Sequence, residues 1–258
     1  YLLLDFSYSI NIFCKCLCVS YNKMLERLSE AFKIQRQFTE NAAHELRTPL
    51  SLMQIQLDLY NSGKHPGNDA DTIQTIKMVT EQNERLSKMV KTLLDMSELQ
   101  TVGRDETIIV NALIDEVLAD LEPLAQEKNI KLIGKCKDVN MVGSDILIYR
   151  LVYNLVENAI KYNHSGGQVI VEAYQKEKQV YLSVEDTGSG IPEELKERVF
   201  EPFFRVDKSR SRELGGVGLG LALVNEIVRV HDGSIAIRPN PSGGTIIEVQ
   251  FAVNRTTA

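Results

Sequence analysis

The sequence predicts a multi-domain chain with two architectures in series: an all-α helical hairpin that forms a dimeric four-helix bundle, then an α/β two-layer sandwich, a mixed sheet backed by helices. Three observations predict it. From about residue 22 to residue 99 apolar side chains recur at helical spacing, one stretch of them in heptads. A breaker-rich segment interrupts that region. Beyond residue 105 helical stretches alternate with short runs of β-branched residues, the pattern of one sheet covered by helices.

Composition sets the bounds. With 258 residues, 43% of them hydrophobic and 25% charged, the chain can bury a core in one or two domains. A formal net charge of −6 leaves no broad basic surface, which excludes nucleic acid as a partner. Cys14, Cys16, Cys18 and Cys136 fit neither a disulfide framework nor zinc-site spacing and point to a reducing cytosol. The chain starts at Tyr1 and not at Met, so it reads as a piece of something longer. Residues 1–20 are apolar-rich, but Asp5, Asn11 and Lys15 interrupt them, short of the unbroken run of about 18 that a spanning helix needs. A membrane-proximal remnant and an ordinary packed segment both fit, and no secretory signal is visible.

Residues 31–100 are the hairpin. Its first helix carries the stripe Ala31, Ile34, Phe38, Ala42, Leu46, Leu50, Met53, Leu57 and Tyr60. Its second carries Ile76, Val79, Asn83, Leu86, Val90, Leu93 and Ser97 in alternating steps of three and four, a coiled-coil seam. Between them Gly63, Pro66 and Gly67 turn the chain. Two helices cannot cover such a seam, so a homodimer through the hairpin follows. Residues 101–107, with Gly103, read as a linker.

Residues 108–258 form the second domain. Helical stretches at 111–128, 144–163, 193–198 and 219–231 alternate with strand-like runs at 130–133, 168–174, 180–185 and 244–253. Hairpin-like successions of strands favour a mixed sheet over a doubly wound parallel one.

Four clusters here converge on one ligand class. In Asn154-Leu155-Val156-Glu157-Asn158-Ala159-Ile160-Lys161-Tyr162, Asn154 and Asn158 lie one helical turn apart, and two amide oxygens beside a lysine suit a hard cation and phosphates. Glu185-Asp186-Thr187-Gly188-Ser189-Gly190 follows a strand and sets a carboxylate at a pocket floor. An aspartic protease would need two such Asp-Thr-Gly elements, and the chain has one. Phe200-Glu201-Pro202-Phe203-Phe204-Arg205 precedes Gly215-Gly216-Val217-Gly218-Leu219-Gly220-Leu221, a glycine run opening a helix, where free N–H groups make an anion site. Between them Arg205, Lys208, Arg210 and Arg212 read as a mobile lid or, taken singly, as a solvated loop.

In order and spacing these clusters resemble the N, G1, F and G2 boxes of the histidine-kinase ATP-binding domain, related to gyrase, Hsp90 and MutL. The resemblance implies a Bergerat-type fold, a mixed sheet backed by three helices. It implies ATP held by Asn154, Asn158, Lys161, Tyr162, Asp186, Gly188, Gly190, Gly216, Gly218, Leu219, Gly220 and Thr245, with Mg²⁺ on Asn158 and the adenine amine donating to Asp186.

The first helix contains Phe38-Thr39-Glu40-Asn41-Ala42-Ala43-His44-Glu45-Leu46-Arg47-Thr48-Pro49-Leu50, which resembles the H box of sensor histidine kinases of two-component signalling. At about 100° per residue, His44 lies roughly opposite Ala42 and Leu46 and points to solvent. His65, His164 and His231 read as ordinary histidines, the last as a cation at a helix C-terminus. By this resemblance His44 is the phosphoacceptor, Glu45 the group that takes its Nδ1 proton, and Thr48 a residue for dephosphorylating the partner. It further implies a bacterial membrane-anchored protein whose cytoplasmic portion this is, and a response-regulator receiver domain as partner. In residues 1–30, a membrane-proximal, HAMP-like signalling segment, Ser20-Tyr21-Asn22-Lys23-Met24-Leu25-Glu26-Arg27-Leu28 resembles the end of a HAMP signalling helix, but Phe13-Cys14-Lys15-Cys16-Leu17-Cys18 replaces the usual acidic-glycine element. The alternatives are a gyrase- or Hsp90-like conformational ATPase, which places a glutamate where Asn154 stands, and a catalytically silent dimeric scaffold.

Overall fold

The computed structural model describes residues 2–61, 69–99, 101–207 and 216–253, with side chains described outside 2–16, 18 and 69–71. The expectations for Cys14, Cys16 and Cys18, for His65 and its turn, and for Lys208, Arg210, Arg212 and Gly215 lie outside those residues. The chain divides into two compact units, Tyr1–Ser51 and Leu52–Ala258.

The described residues of the first unit all lie within the long helix α1 (Leu2–Asn61). Ala31 and Ile34 of the apolar stripe are exposed, whereas Phe38, Ala42 and Leu46 are half-buried. Pro49 sits inside α1 and does not end it. No helix among the described residues is long and apolar enough to cross a membrane.

The second unit holds the end of α1, then α2 (Asp69–Glu98), β1 (Glu106–Ile109), α3 (Val110–Glu127), β2 (Lys131–Cys136), β3 (Asn140–Gly143) and α4 (Asp145–Lys161). It continues with β4 (Gln168–Lys176), β5 (Gln179–Asp186), α5 (Gly220–Val230), β6 (Ser234–Pro239) and β7 (Thr245–Ala252). The main sheet runs β2-β4-β5-β7-β6, with β2 parallel to β4 and every other pair antiparallel, so the sheet is mixed as its strand succession predicts. β1 and β3 form a separate antiparallel pair.

Register explains which face is covered. Val171 pairs with Val184, Ala173 with Leu182, Leu182 with Val249 and Val184 with Ile247, and all of these are buried. Because side chains alternate along a strand, Tyr174, Tyr181, Glu172 and Glu248 stand on the opposite face, where the two tyrosine rings stack with centroids 5.1 Å apart. Helices α3, α4 and α5 cover the apolar face. In α4, Leu147, Ile148, Leu151, Leu155 and Ile160 recur at helical spacing and are fully buried, each contributing about 1.5–3 kcal/mol. Asp145 in its first turn and Lys161 in its last suit the helix dipole. Asp186 pairs with Val169, so the same register that buries Val169 turns Asp186 toward the helices at the strand end.

Two local readings change. Residues 193–198 are two short 3-10 turns, Glu193–Leu195 and Arg198–Phe200, because five of those six residues are polar and Val199 alone is buried. His231 is no exposed cation: it is buried, accepts the Ser144 backbone N–H at Nε2 (3.1 Å) and directs Nδ1 at the Ile227 carbonyl (2.8 Å), which requires the neutral Nδ1–H tautomer.

α2 packs within this unit. It lies against α5, buries Met89, is followed directly by the buried Leu99, and pairs its Asp95 with Arg150 of α4 at 2.9 Å.

Candidate functional site

A cavity of about 360 Å³ opens between α4, the end of β5 and the start of α5. Its lining brings together Asn154, Asn158, Lys161, Tyr162, Asp186, Gly190, Gly216, Gly218, Leu219, Gly220 and Thr245, stretches far apart in the chain that the family resemblance implies hold one ligand. Gly188 stands just behind: its N–H donates to Asp186 Oδ1 at 2.7 Å, and a Cβ there would meet the Tyr162 carbonyl at 2.5 Å.

The α5 end of the cavity depends on close approach. Gly220 begins α5, and a Cβ on it would lie 2.9 Å from Asn154 Oδ1 and 3.5 Å from Asn158 Nδ2, so only glycine lets the helix start reach the paired amides. Asn154 Nδ2 donates to the Arg150 carbonyl at 2.7 Å, which turns its Oδ1 toward that helix start. Among the described residues no side chain caps α5, leaving its first N–H groups and the positive dipole end for a ligand. Gly218 has φ +77°, and its carbonyl accepts the Phe203 N–H at 2.7 Å, tying the Phe-Glu-Pro-Phe-Phe cluster to the glycine turn. Phe204 lines the cavity with the Arg198 guanidinium 4.5 Å from its ring centre.

The other end is built on Asp186. Its Oδ1 also accepts the Thr245 N–H at 3.3 Å, and its backbone carbonyl accepts Asn240 Nδ2 at 2.7 Å. Burial pushes the carboxyl above its ordinary value, against the pull of those two N–H groups. Behind it Thr187, Asn163 and Gln168 form a closed network: Asn163 Nδ2 donates to the Gln168 carbonyl at 3.1 Å and the Gln168 N–H donates to Thr187 Oγ1 at 3.0 Å. Asn163 and Gln168 carry no sequence signal of their own, and Thr187 carries only its place in the Asp-Thr-Gly element.

One wall is charged. Buried Glu157 accepts Lys161 Nζ at 3.0 Å and Lys88 Nζ, from α2, at 2.6 Å on the same oxygen. Burial alone would raise Glu157, but the two ammoniums outweigh it and hold the carboxyl below its ordinary value. Burial, reinforced by Lys88, lowers Lys161 despite Glu157. Lys88 also lines the cavity, with Thr92 one turn on.

His44, Glu45 and Thr48 lie on α1 in the first unit. His44 is exposed, as its position opposite the apolar stripe predicts, and its carbonyl accepts Thr48 Oγ1 at 3.1 Å.

A helix-backed mixed sheet with this cavity defines an ATPase domain of the type shared by histidine kinases, DNA gyrase B and HSP90, and the family model of that description matches residues 143–255. A second family model, the His Kinase A phospho-acceptor domain, matches residues 34–102. The signal transduction histidine-protein kinase ArlS of Staphylococcus aureus is 33% identical over 241 residues, covering 90% of this chain and 52% of that kinase. The chain thus spans about half the length of the curated relatives it matches. Among solved structures, the Acinetobacter baumannii histidine kinase AdeS aligns with TM-score 0.68 and 25% identity over 82% of this chain and 98% of that one. Histidine kinase ThkA, in complex with response regulator protein TrrA, aligns with TM-score 0.71 and 26% identity over 87% and 63%. The chain belongs to the sensor histidine kinases of two-component signalling.

Proposed function

We propose that the chain binds Mg·ATP in the α4–β5–α5 cavity, transfers the γ-phosphoryl group to His44 within a homodimer, and passes it to an aspartate of a response-regulator receiver domain. The observation that carries this reading is the convergence of Asn154, Asn158, Asp186 and the Gly218–Gly220 turn on one cavity, on a chain that also presents an exposed His44. Asp186 reads the adenine amine with the carboxylate oxygen that Gly188 and Thr245 leave free. Lys161 and the uncapped start of α5 take the phosphates. The gap that a Cβ on Gly220 would fill is bordered by Asn154 Oδ1 and the Asn158 amide, and amide oxygens on these two residues would fit a hard cation. Mg²⁺ held there with the nucleotide would neutralise charge on the phosphates.

His44 attacks with the Nε2 lone pair, forming an N–P bond as the bond between the γ-phosphorus and the β,γ-bridging oxygen breaks and ADP leaves. Glu45 takes the Nδ1 proton, leaving a neutral phosphoimidazole. Thr48 is placed to orient water on a docked regulator's phosphoaspartate, which gives the protein a phosphatase activity as well. Dimerisation is supported by the apolar residues exposed on the single chain, among them Ile34, Leu50, Ile76 and Val90. The kinase–regulator pairing in the ThkA structure supports a receiver domain as acceptor. An ATP substrate and the free Cys136 support a cytoplasmic location for this portion of a membrane-anchored bacterial protein. A conformational ATPase is the weaker reading, since Asn154 cannot act as the water-activating base.

The test is incubation with γ-labelled Mg·ATP. Label should be acid-labile and base-stable, as a phosphoramidate is, and vanish in His44→Gln; acid-stable label or undiminished label in that variant overturns the assignment.

A further inference from the structure

We propose that Lys88, on the hairpin helix α2, is a phosphate-binding residue of the nucleotide cavity, exchanging its bond to Glu157 for oxygens of the ATP polyphosphate; this rests on the nucleotide reading above. The geometry of the charged wall points to it. Two ammoniums, Lys88 and Lys161, converge on one Glu157 oxygen at 2.6 and 3.0 Å, so one positive charge is left over beside the paired amides of Asn154 and Asn158. Lys88 is the member free to move. Its side chain is 52% exposed, against 16% for Lys161 and 10% for Glu157, so Lys88 can swing on its flexible stem while the other two stay packed.

Charge favours the same assignment. A lone Glu157 carboxylate would repel an incoming polyphosphate, and the pair of lysines reverses the sign of that wall. Phosphate oxygens offer Lys88 a charge-assisted hydrogen bond comparable to the carboxylate's. Lys88 is also spare as a structural tie, because Asp95–Arg150 at 2.9 Å and the buried Met89 and Leu99 anchor α2 without it. The phosphate site is then composite, the ATPase domain supplying one lysine and the phosphoacceptor hairpin the other.

Calorimetry on the full chain with Mg²⁺ present, titrating ATP, ADP and adenosine into wild type, Lys88→Met and Lys88→Arg, tests this. Lys88→Met should weaken ATP about tenfold or more, leave adenosine within about twofold, and Lys88→Arg should recover most of the loss. Equal losses for adenosine and ATP, as a merely structural role gives, or no loss for ATP, overturn the proposal. A wild type that binds no ATP would instead sink the nucleotide reading itself. Acetylation of wild-type lysines mapped by mass spectrometry does not depend on a variant folding: ATP should protect Lys88 more than adenosine does, and equal protection overturns the proposal.

Discussion

Replacing Asp186 with asparagine changes one oxygen into an amide nitrogen at constant shape. The remaining oxygen can still accept the Gly188 and Thr245 N–H groups at 2.7 and 3.3 Å, so the strand end keeps its ties. The new amide donates where the carboxylate accepted, and faces the adenine amine donor to donor. Loss of a charge-assisted bond of about 1.5–3 kcal/mol raises the Kd for ATP roughly 10- to 100-fold. Stability should move the other way: burial holds the Asp186 carboxyl above its ordinary value, and a neutral asparagine escapes that penalty, so Tm should hold or rise. The pH dependence has two signs. Because the folded-state pKa is raised, the carboxyl's contribution to stability is full below the unfolded pKa and is lost as pH rises through the folded one. Adenine recognition needs the ionised form, so wild-type affinity should fall as pH drops through a window above the ordinary carboxylate range, and the variant should lack that fall. Calorimetry with ATP between about pH 4 and 7, with thermal unfolding alongside, reads all three quantities. Unchanged ATP affinity in Asp186→Asn, or a lowered Tm with no change in the pH profile, would refute this role.

GTP should bind more weakly than ATP by roughly 1–3 kcal/mol, since guanine sets a carbonyl against the buried Asp186 carboxylate; equal calorimetric affinities would contradict it. Gly218→Ala should lower Tm and weaken ATP binding together, because its Cβ would lie 2.7 Å from the Phe204 carbonyl at φ +77°, a strain on the order of 1–2 kcal/mol. Gly243→Ala, at φ +95° with nothing within 4 Å, is the control: similar strain in Tm, unchanged ATP affinity. Thr48→Ala should keep autophosphorylation within a few-fold and lower regulator dephosphorylation about 10²-fold. The Thr48 bond to the His44 carbonyl is the feature a purely structural role would rest on, and equal losses in both assays with a lowered Tm would favour that role.

Much of the second unit was legible because its signals are local. Asn154 and Asn158 share a helix face, Asp186 ends an alternating strand and the glycines open a helix, so each cluster announces its element before the fold joins them. What was not legible is non-local. β1 (Glu-Thr-Ile-Ile) and β3 (Asn-Met-Val-Gly) are too short to show a period of two and exist through pairing with each other. β6 is an edge strand with a diluted pattern, paired to β7 alone. His231 looked like a helix-end cation because the Ser144 N–H that fixes its tautomer lies 87 residues away. Lys88 stands among the polar residues of a heptad helix with no motif around it, and its partner Glu157 is 69 residues on. Asn163 follows one recognisable motif and Thr187 sits inside another, but the network they close is visible only once α4, β4 and β5 are assembled.

The most direct test of the central claim is to locate the phosphoryl group. After incubation with Mg·ATP and handling at alkaline pH, peptide mass spectrometry should place a single phosphoryl group on His44, and the same modification should be missing from Asn158→Ala. A phosphoryl group on any other residue, or on His44 undiminished when Asn158 is removed, would contradict the assignment of acceptor and nucleotide site.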